Sequence, residues 1–354
     1  MQQKFTMALD AMGGDEAPDH VIDGAVLALR SHPELSYIFT GDEARIKPLI
    51  DARPSLRKKS EIRHTEEMVL PDDKPSAALR HRKNSSMSLA VQAVAEGDAA
   101  CVVSAGNTGA LMAMALFGLK PLPNVSRPAI ASYYPTMQKG RKTVLLDLGA
   151  NIQCTAKNLT EFAVLGAIFA QVVLKVEKPQ IALLNVGSEE MKGSEEVKEA
   201  AHLLAEMSLP GEFVGYAEGD DIMKGVVDVV VTDGFTGNIT LKASEGTARL
   251  VAHMMKQSFK HSPIGWLGYP FMIPALRKLK HSMDPRRYNG GVFMGLRGLC
   301  VKSHGGMDAL GFANAVGVGA KMIAGDMNKH LAAALDKTGD TGLPAAEDGV
   351  EKAV

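Results

Sequence analysis

Ser104, Gly106, Asn107, Thr108 and Gly109 stand in one short stretch, SAGNTG, between an apolar run at 101–103 and a helical pattern that continues to Leu119. A strand that turns on glycines into a helix N-terminus points free N–H groups at whatever sits before it. That arrangement suits an anion, phosphate above all. Neither common nucleotide signature is present: no GxxxxGK[ST] occurs, and Gly106-x-x-Gly109 is not GxGxxG. The expectation is phosphate without a nucleotide.

Five further turns gather the same residue types. LDAMGGD carries Asp10, Gly13 and Gly14; LLDLGAN carries Asp147 and Asn151; NVGSEEMKG carries Asn185, Glu189 and Lys192; VVVTDGFTGN carries Asp233, Gly234 and Asn238; KSHGG carries Lys302 and His304. The aspartates can orient backbone amides or a lysine. Lys192, Lys242 and Lys302 are cations able to neutralise phosphate or a developing oxyanion. Lys192 is the first choice for that role, with Asn185 and Glu189 orienting its turn. Asn238, Asp233 and Gly234 fall to a carbonyl to be attacked, with Lys302 and His304 behind them. Three strand-end aspartates more often cap turns than hold a metal, so no metal is expected. Arg80, Arg82 and Lys83 precede Ser85-Ser86, a helix-capping pair, and form an anion site, a dock for an acidic partner or a solvated charge run.

The elements behind these turns alternate. Apolar, β-branched runs at 5–9, 37–40, 100–103, 143–146, 181–186 and 226–231 read as strands. Helical patterns at 21–30, 86–95, 160–173 and 194–205 lie between them. Such alternation predicts an α/β fold with a mostly parallel sheet and helices on both faces. Ligands of such sheets bind at the carboxyl ends of strands, where the turns stand. No Pro/Gly/Ser-rich linker divides the first 330 residues, so 1–336 is expected as one two-lobed catalytic domain and the polar, aperiodic 337–354 as a flexible tail.

A formal net charge of -1 argues against nucleic acid as a partner. Cys101, Cys154 and Cys300 are far apart with no CxxC spacing, which fits a reducing cytoplasm. No signal-peptide core precedes Asp10, and no uninterrupted apolar stretch approaches the ~18 residues of a membrane span. One segment is out of place in a core. At about 253–287 a projecting stretch holds Trp266, Leu267, Tyr269, Phe271, Met272 and Ile273, broken by prolines and flanked by Lys and Arg. An apolar tip with basic flanks suits an interfacial membrane contact; a buried dimer contact is the other reading.

Taken together, LDAMGGD, ALRHRKNSSM, VSAGNTGALMA, LLDLGAN, NVGSEEMKG, DVVVTDGFTGN and VKSHGG resemble one family over nearly the whole chain, the bacterial acyl-ACP:phosphate acyltransferases of phospholipid synthesis. The resemblance departs at 290–295, which here reads GGVFMG. It implies transfer of a fatty acyl group from acyl carrier protein to inorganic phosphate, giving acyl-phosphate. It further implies no cofactor, a homodimer, and a fold related to phosphotransacetylases and to isocitrate and isopropylmalate dehydrogenases. Peripheral association with the inner face of the membrane and work beside a downstream glycerol-phosphate acyltransferase complete the expectation. Three rivals stand beside it: a CoA-dependent phosphotransacetylase, a metal- and NAD-dependent dehydrogenase, and a non-catalytic membrane scaffold for the carrier protein.

Overall fold

A computed structural model describes residues 5–260, 273–274 and 284–339. The chain opens with β1 (Thr6–Asp10), α1 (Asp19–Ser31), β2 (Ser36–Gly41), α2 (Glu43–Asp51), α3 (Pro54–Arg57) and β3 (Ser60–His64). Two helices, α4 (Pro75–His81) and α5 (Ser86–Ala95), lead to β4 (Cys101–Ser104) and α6 (Thr108–Leu119). An antiparallel pair follows, β5 (Ala129–Pro135) and β6 (Lys142–Leu146), and then α7 (Ala156–Phe169), which ends in a π-helical turn, Ala170–Leu174. Next come β7 (Gln180–Leu184), α8 (Glu195–Glu206), β8 (Glu212–Ala217), α9 (Asp221–Lys224), β9 (Val229–Val231) and the long α10 (Gly234–Lys260). Beyond a 3-10 turn, Pro285–Tyr288, stand β10 (Gly291–Met294), β11 (Leu299–Lys302), α11 (Ala309–Ala324) and α12 (Met327–Gly339).

All eleven strands join one sheet in the order β3-β2-β1-β4-β11-β10-β5-β6-β9-β7-β8. The strands from β3 to β11 are mutually parallel, as are those from β6 to β8; β10 and β5 pair antiparallel with their neighbours and turn the sheet over between the two blocks. One register row runs Val301, Val292, Ala131, Leu146 across the middle strands. The two parallel blocks therefore run in opposite directions, and their carboxyl-end turns leave in opposite directions from near that common row.

Alternation along the central strands fills two cores. Leu9, Val103, Val301 and Leu146 face α1, α7 and α11. Ala8, Val102, Cys300 and Leu145 face α5 and α6. The departure GGVFMG is β10 itself: Val292, Phe293 and Met294 are buried in the middle of the sheet. Helix Ala156–Leu174 is long and apolar enough to cross a membrane by composition, yet 83% of it is buried inside the protein, and it carries Lys157 and Glu161. Packing against the sheet accounts for its hydropathy. Helix α12 continues through Gly339, three residues into the segment expected to be aperiodic from 337; residues 340–354 lie outside the described part.

Candidate active site

The first group of turns closes around Asp10. This carboxylate is fully buried at the end of β1; Ser86 Oγ donates to its Oδ1 at 2.6 Å, and Ser104 Oγ donates to its Oδ2 at 2.6 Å. Ser104 Oγ in turn accepts the Gly106 N–H at 3.0 Å. Burial pushes the Asp10 carboxyl up, while the two hydroxyls and the nearby Lys302 pull it down. The glycines permit the closeness. A Cβ on Gly13 would lie 2.5 Å from Asp10 Oδ2 and 2.8 Å from the Gly106 nitrogen, and Gly14 sits at φ +111°, where side chains are strained.

Lys302 ends β11 opposite Ser104 on β4, and Ser303 N–H bonds Ser104 O at 2.9 Å. Its ammonium donates to the Ser303 carbonyl. Burial lowers its pKa to about 8, against the pull of Asp10, Cys300 and Asp15. The following turn leans on the first: Asp15 N–H bonds Gly305 O at 3.1 Å. His304 is exposed; its backbone N–H is held by Asn289 Oδ1 at 3.0 Å and its Nδ1 accepts the Gly306 N–H at 3.2 Å.

Asn107 caps α6, accepting the Ala110 N–H at 3.0 Å, and its amide donates to Pro71 O and Asp73 O at 2.9 and 3.0 Å. Both ends of that side chain are thus engaged in positioning. The first-turn N–H groups of Thr108 and Gly109 have no intrahelical acceptor, by the geometry of any helix start, and face outward with the positive end of the helix dipole. Asp73 also pairs with Arg82 at 3.4 Å, which seats the basic stretch beside this turn, with Arg80 and Lys83 exposed. Ser85 caps α5 as expected, accepting the Ser88 N–H at 3.3 Å.

The second group leaves the sheet in the other direction. Asp147, fully buried, accepts N–H groups from Ile130, Gly149, Ala150 and Asn151, and the Asn151 amide as well. Burial raises its pKa and this saturated shell opposes the rise. Asn151 O takes the Gly234 N–H at 2.7 Å, locking β6's turn to the start of α10. Asp233 caps that helix through the Thr236 N–H and hydroxyl, both at 2.8 Å. Asn238 is exposed, its side chain beside Gly149. On the neighbouring strand β7, Asn185 closes the next turn by donating to Lys192 O at 3.0 Å, and exposed Lys192 pairs with Glu189 at 2.8 Å. That carboxylate holds the Lys192 ammonium up, and Lys192 holds Glu189 down.

The expected residues thus sort into two sets: Asp10, Gly13, Gly14, Ser104–Gly109, Lys302 and His304 at the carboxyl ends of one parallel block, and Asp147, Asn151, Asn185, Glu189, Lys192, Asp233, Gly234 and Asn238 at those of the other. Three inter-strand steps, ~14 Å across the sheet, separate β11 from β6. Ser86 and Asn289 were not among the expected site residues. Ser86 belonged to a recognised capping pair, but its carboxylate partner is 76 positions away. Asn289 carries no local signal. Trp266, Leu267, Tyr269, Phe271 and Met272 lie outside the described residues; Ile273 is helical and half-buried.

None of the three thiols is set up as a nucleophile. Burial pushes Cys101 and Cys300 far up, and Cys154 is pushed up to about 12 by burial and then by Asp147 and Asp233. Among the described residues no group of three or more His, Cys, Asp or Glu is placed to hold a metal ion.

This mostly parallel sheet, reversed in its middle by β10 and β5, is the fold of solved phosphotransacetylases. The EutD phosphotransacetylase from Staphylococcus aureus superimposes with a TM-score of 0.58 over 90% of this chain and 94% of that one, at 18% identity, a likeness of fold. Residues 5–330 match the family described as fatty acid synthesis protein, and the chain belongs to it. It is 55% identical over 331 residues to the phosphate acyltransferase of Rhodospirillum centenum, covering 94% of this chain and 93% of the relative. The phosphate acyltransferase of Paramagnetospirillum magneticum is 51% identical over 337 residues, 95% of each chain.

Proposed function

We propose that this chain transfers a fatty acyl group from the thioester of acyl carrier protein to inorganic phosphate, releasing acyl-phosphate and the carrier thiol. The observation that carries this reading is that the α6 N-terminus and the half-buried Lys302 stand at the ends of the paired strands β4 and β11, beside the glycine turns of Asp10 and Ser104. An anion seated there faces two first-turn N–H groups and one cation.

Phosphate is already a nucleophile, and a thiolate is a fair leaving group, its free thiol pKa being ~8.5. An oxygen lone pair of phosphate forms the C–O bond while the carbonyl electrons move onto oxygen. Collapse of that oxyanion breaks the C–S bond, and the thiolate takes a proton from water. No covalent enzyme intermediate is needed, in keeping with three thiols held protonated. Positioning phosphate in line with the carbonyl is worth up to ~7–11 kcal/mol. Lys302 and the α6 turn hold phosphate; Lys192 and Asn238 stabilise the carbonyl oxygen, with the Asp233-Gly234 turn positioning Asn238 at the start of α10.

These two sets leave the sheet in opposite directions and three strand steps apart, so the second set is taken from another copy in a homodimer. Helix α10, which begins at that turn, exposes Phe235, Ile239, Leu250, Val251 and Met254, an apolar face suited to such a partner. Arg80 and Lys83 beside the phosphate turn suit the acidic carrier protein. The segment around Trp266 serves as the contact with the inner face of the membrane, where acyl-phosphate passes to the downstream glycerol-phosphate acyltransferase.

Donor choice tests the reading. Palmitoyl-ACP and palmitoyl-CoA are supplied with phosphate, and acyl-phosphate is trapped with hydroxylamine. The expected result is hydroxamate from the carrier donor at a kcat/KM at least tenfold that from CoA. Preference for CoA places the chain with CoA-dependent phosphotransacetylases, and no hydroxamate from either donor places it with scaffolds.

A further inference from the structure

On the face of the sheet away from α5 and α6, a 260 Å³ cavity lies between α1, α11 and β5. Arg30, His32, Asn314 and Lys321 line it over a floor that includes Tyr133 and Val318. Outside the lining, the Lys142 ammonium sits 4.2 Å from the centroid of the Tyr133 ring. Tyr288 meets the same ring edge-on at 6.2 Å, which brings its neighbour Arg287 into the cluster. Arg30, Lys142, Arg287 and Lys321 form no ion pair with a carboxylate among the described residues; Asp284 feels the charge of Arg287 but pairs with Arg286. Glu34, two residues beyond His32, is taken by it at 3.4 Å. Such an excess is local, since the chain as a whole carries a formal charge of -1. Lys142 shows the strain: burial, then Lys321 and Arg287, depress its pKa. A bound anion offsets the repulsion that Lys321 and Arg287 exert on Lys142, and the apolar part of the wall leaves room for more than a bare ion.

We propose that this pocket is a second anion site, separate from the α6 turn, that takes a small phosphate monoester with its phosphate between Arg30 and Lys321, on the side of the cavity nearest Lys142 and Arg287. None of Asp10, Ser104, Asn107 or Lys302 borders it. The site therefore binds whether or not the α6 turn holds phosphate.

The test follows Lys142 directly. Lysines of the full chain are reductively ¹³C-methylated, which keeps their charge, and the Lys142 signal is assigned by its loss in Lys142→Arg. Phenyl phosphate and inorganic phosphate are titrated at constant ionic strength made up with chloride. The expected result is a saturable rise of the Lys142 pKa with phenyl phosphate, binding at least tenfold weaker in Lys321→Met, and an unchanged response in Asn107→Ala. Weaker binding of inorganic phosphate than of phenyl phosphate supports the ester. A Lys142 signal that phenyl phosphate does not move, or a response abolished by Asn107→Ala and kept in Lys321→Met, overturns the proposal. Circular dichroism of each variant separates loss of the site from loss of the fold.

Discussion

Ser104 hands its hydroxyl proton to Asp10 Oδ2 at 2.6 Å and takes the Gly106 N–H at 3.0 Å, so one serine ties a buried carboxylate to the turn that starts α6. Through this pair the end of β1 sets the geometry of the end of β4.

Asp10→Ala removes the acceptor of two buried hydroxyls and the counter-charge of Lys302. Stability is expected to fall by about 1–3 kcal/mol, the range for stranding a buried donor. The phosphate KM is expected to rise more than tenfold, while Ser86→Ala, which leaves Ser104 in place, raises it less. Urea denaturation and phosphate saturation curves measure both. A stability loss with an unchanged KM reduces Asp10 to a structural carboxylate.

Asn107→Ala deletes the α6 cap and the two bonds to the Pro71 and Asp73 carbonyls. The cap alone is worth about 1 kcal/mol. Since the side chain positions and does not itself face the anion, Asn107→Ser, which restores a cap, is expected to recover most of the phosphate affinity that alanine loses. Equal loss in both variants places the amide itself against phosphate.

Lys302 loses its proton near pH 8 because burial disfavours the ammonium more than Asp10, Cys300 and Asp15 favour it. Below that pH the cation is present; as pH rises through it, the cation disappears. The kcat/KM for phosphate is therefore expected to decline above about pH 8, with free enzyme setting the position of the limb. Lys302→Arg keeps its charge throughout and is expected to lose that limb even where its rate is lower. A limb that stays in place belongs to another group.

Much of this arrangement could be read from residue types. The runs at 5–9, 100–103 and 143–146 became β1, β4 and β6 within one residue, because buried strands need uninterrupted apolar stretches. β3 (SEIRH) and β8 (EFVGYA) lie at the two edges of the sheet and are polar enough to hide. β10 and β11 are only four residues each, and a tight turn joins them. Their pairing, together with β5, reverses the sheet, so no pattern along the chain shows that the turns of Lys302 and Asp147 leave in opposite directions. The aspartates were legible as turn-closing groups, and Asp147 and Asp233 act so. Which turns share a direction is a property of strand order alone.

The proposed completion of a site by two copies has a direct consequence. Lys302→Met and Lys192→Met are each expected to be inactive. Dissociated and reassembled together at equal amounts, half of the dimers carry one of each, and one of their two sites is whole. About a quarter of wild-type activity is then expected. No recovery from well-folded mixed dimers puts both sets of residues to work within one chain.

Phosphate itself decides the central claim. Purified protein is mixed with palmitoyl-ACP without metal or nucleotide, and free carrier thiol is followed as inorganic phosphate is raised from zero. Thiol release that begins at the background rate and saturates with phosphate, matched mole for mole by hydroxamate, is the predicted result. Release at full rate without phosphate, leaving free fatty acid, contradicts it and makes the chain a thioesterase.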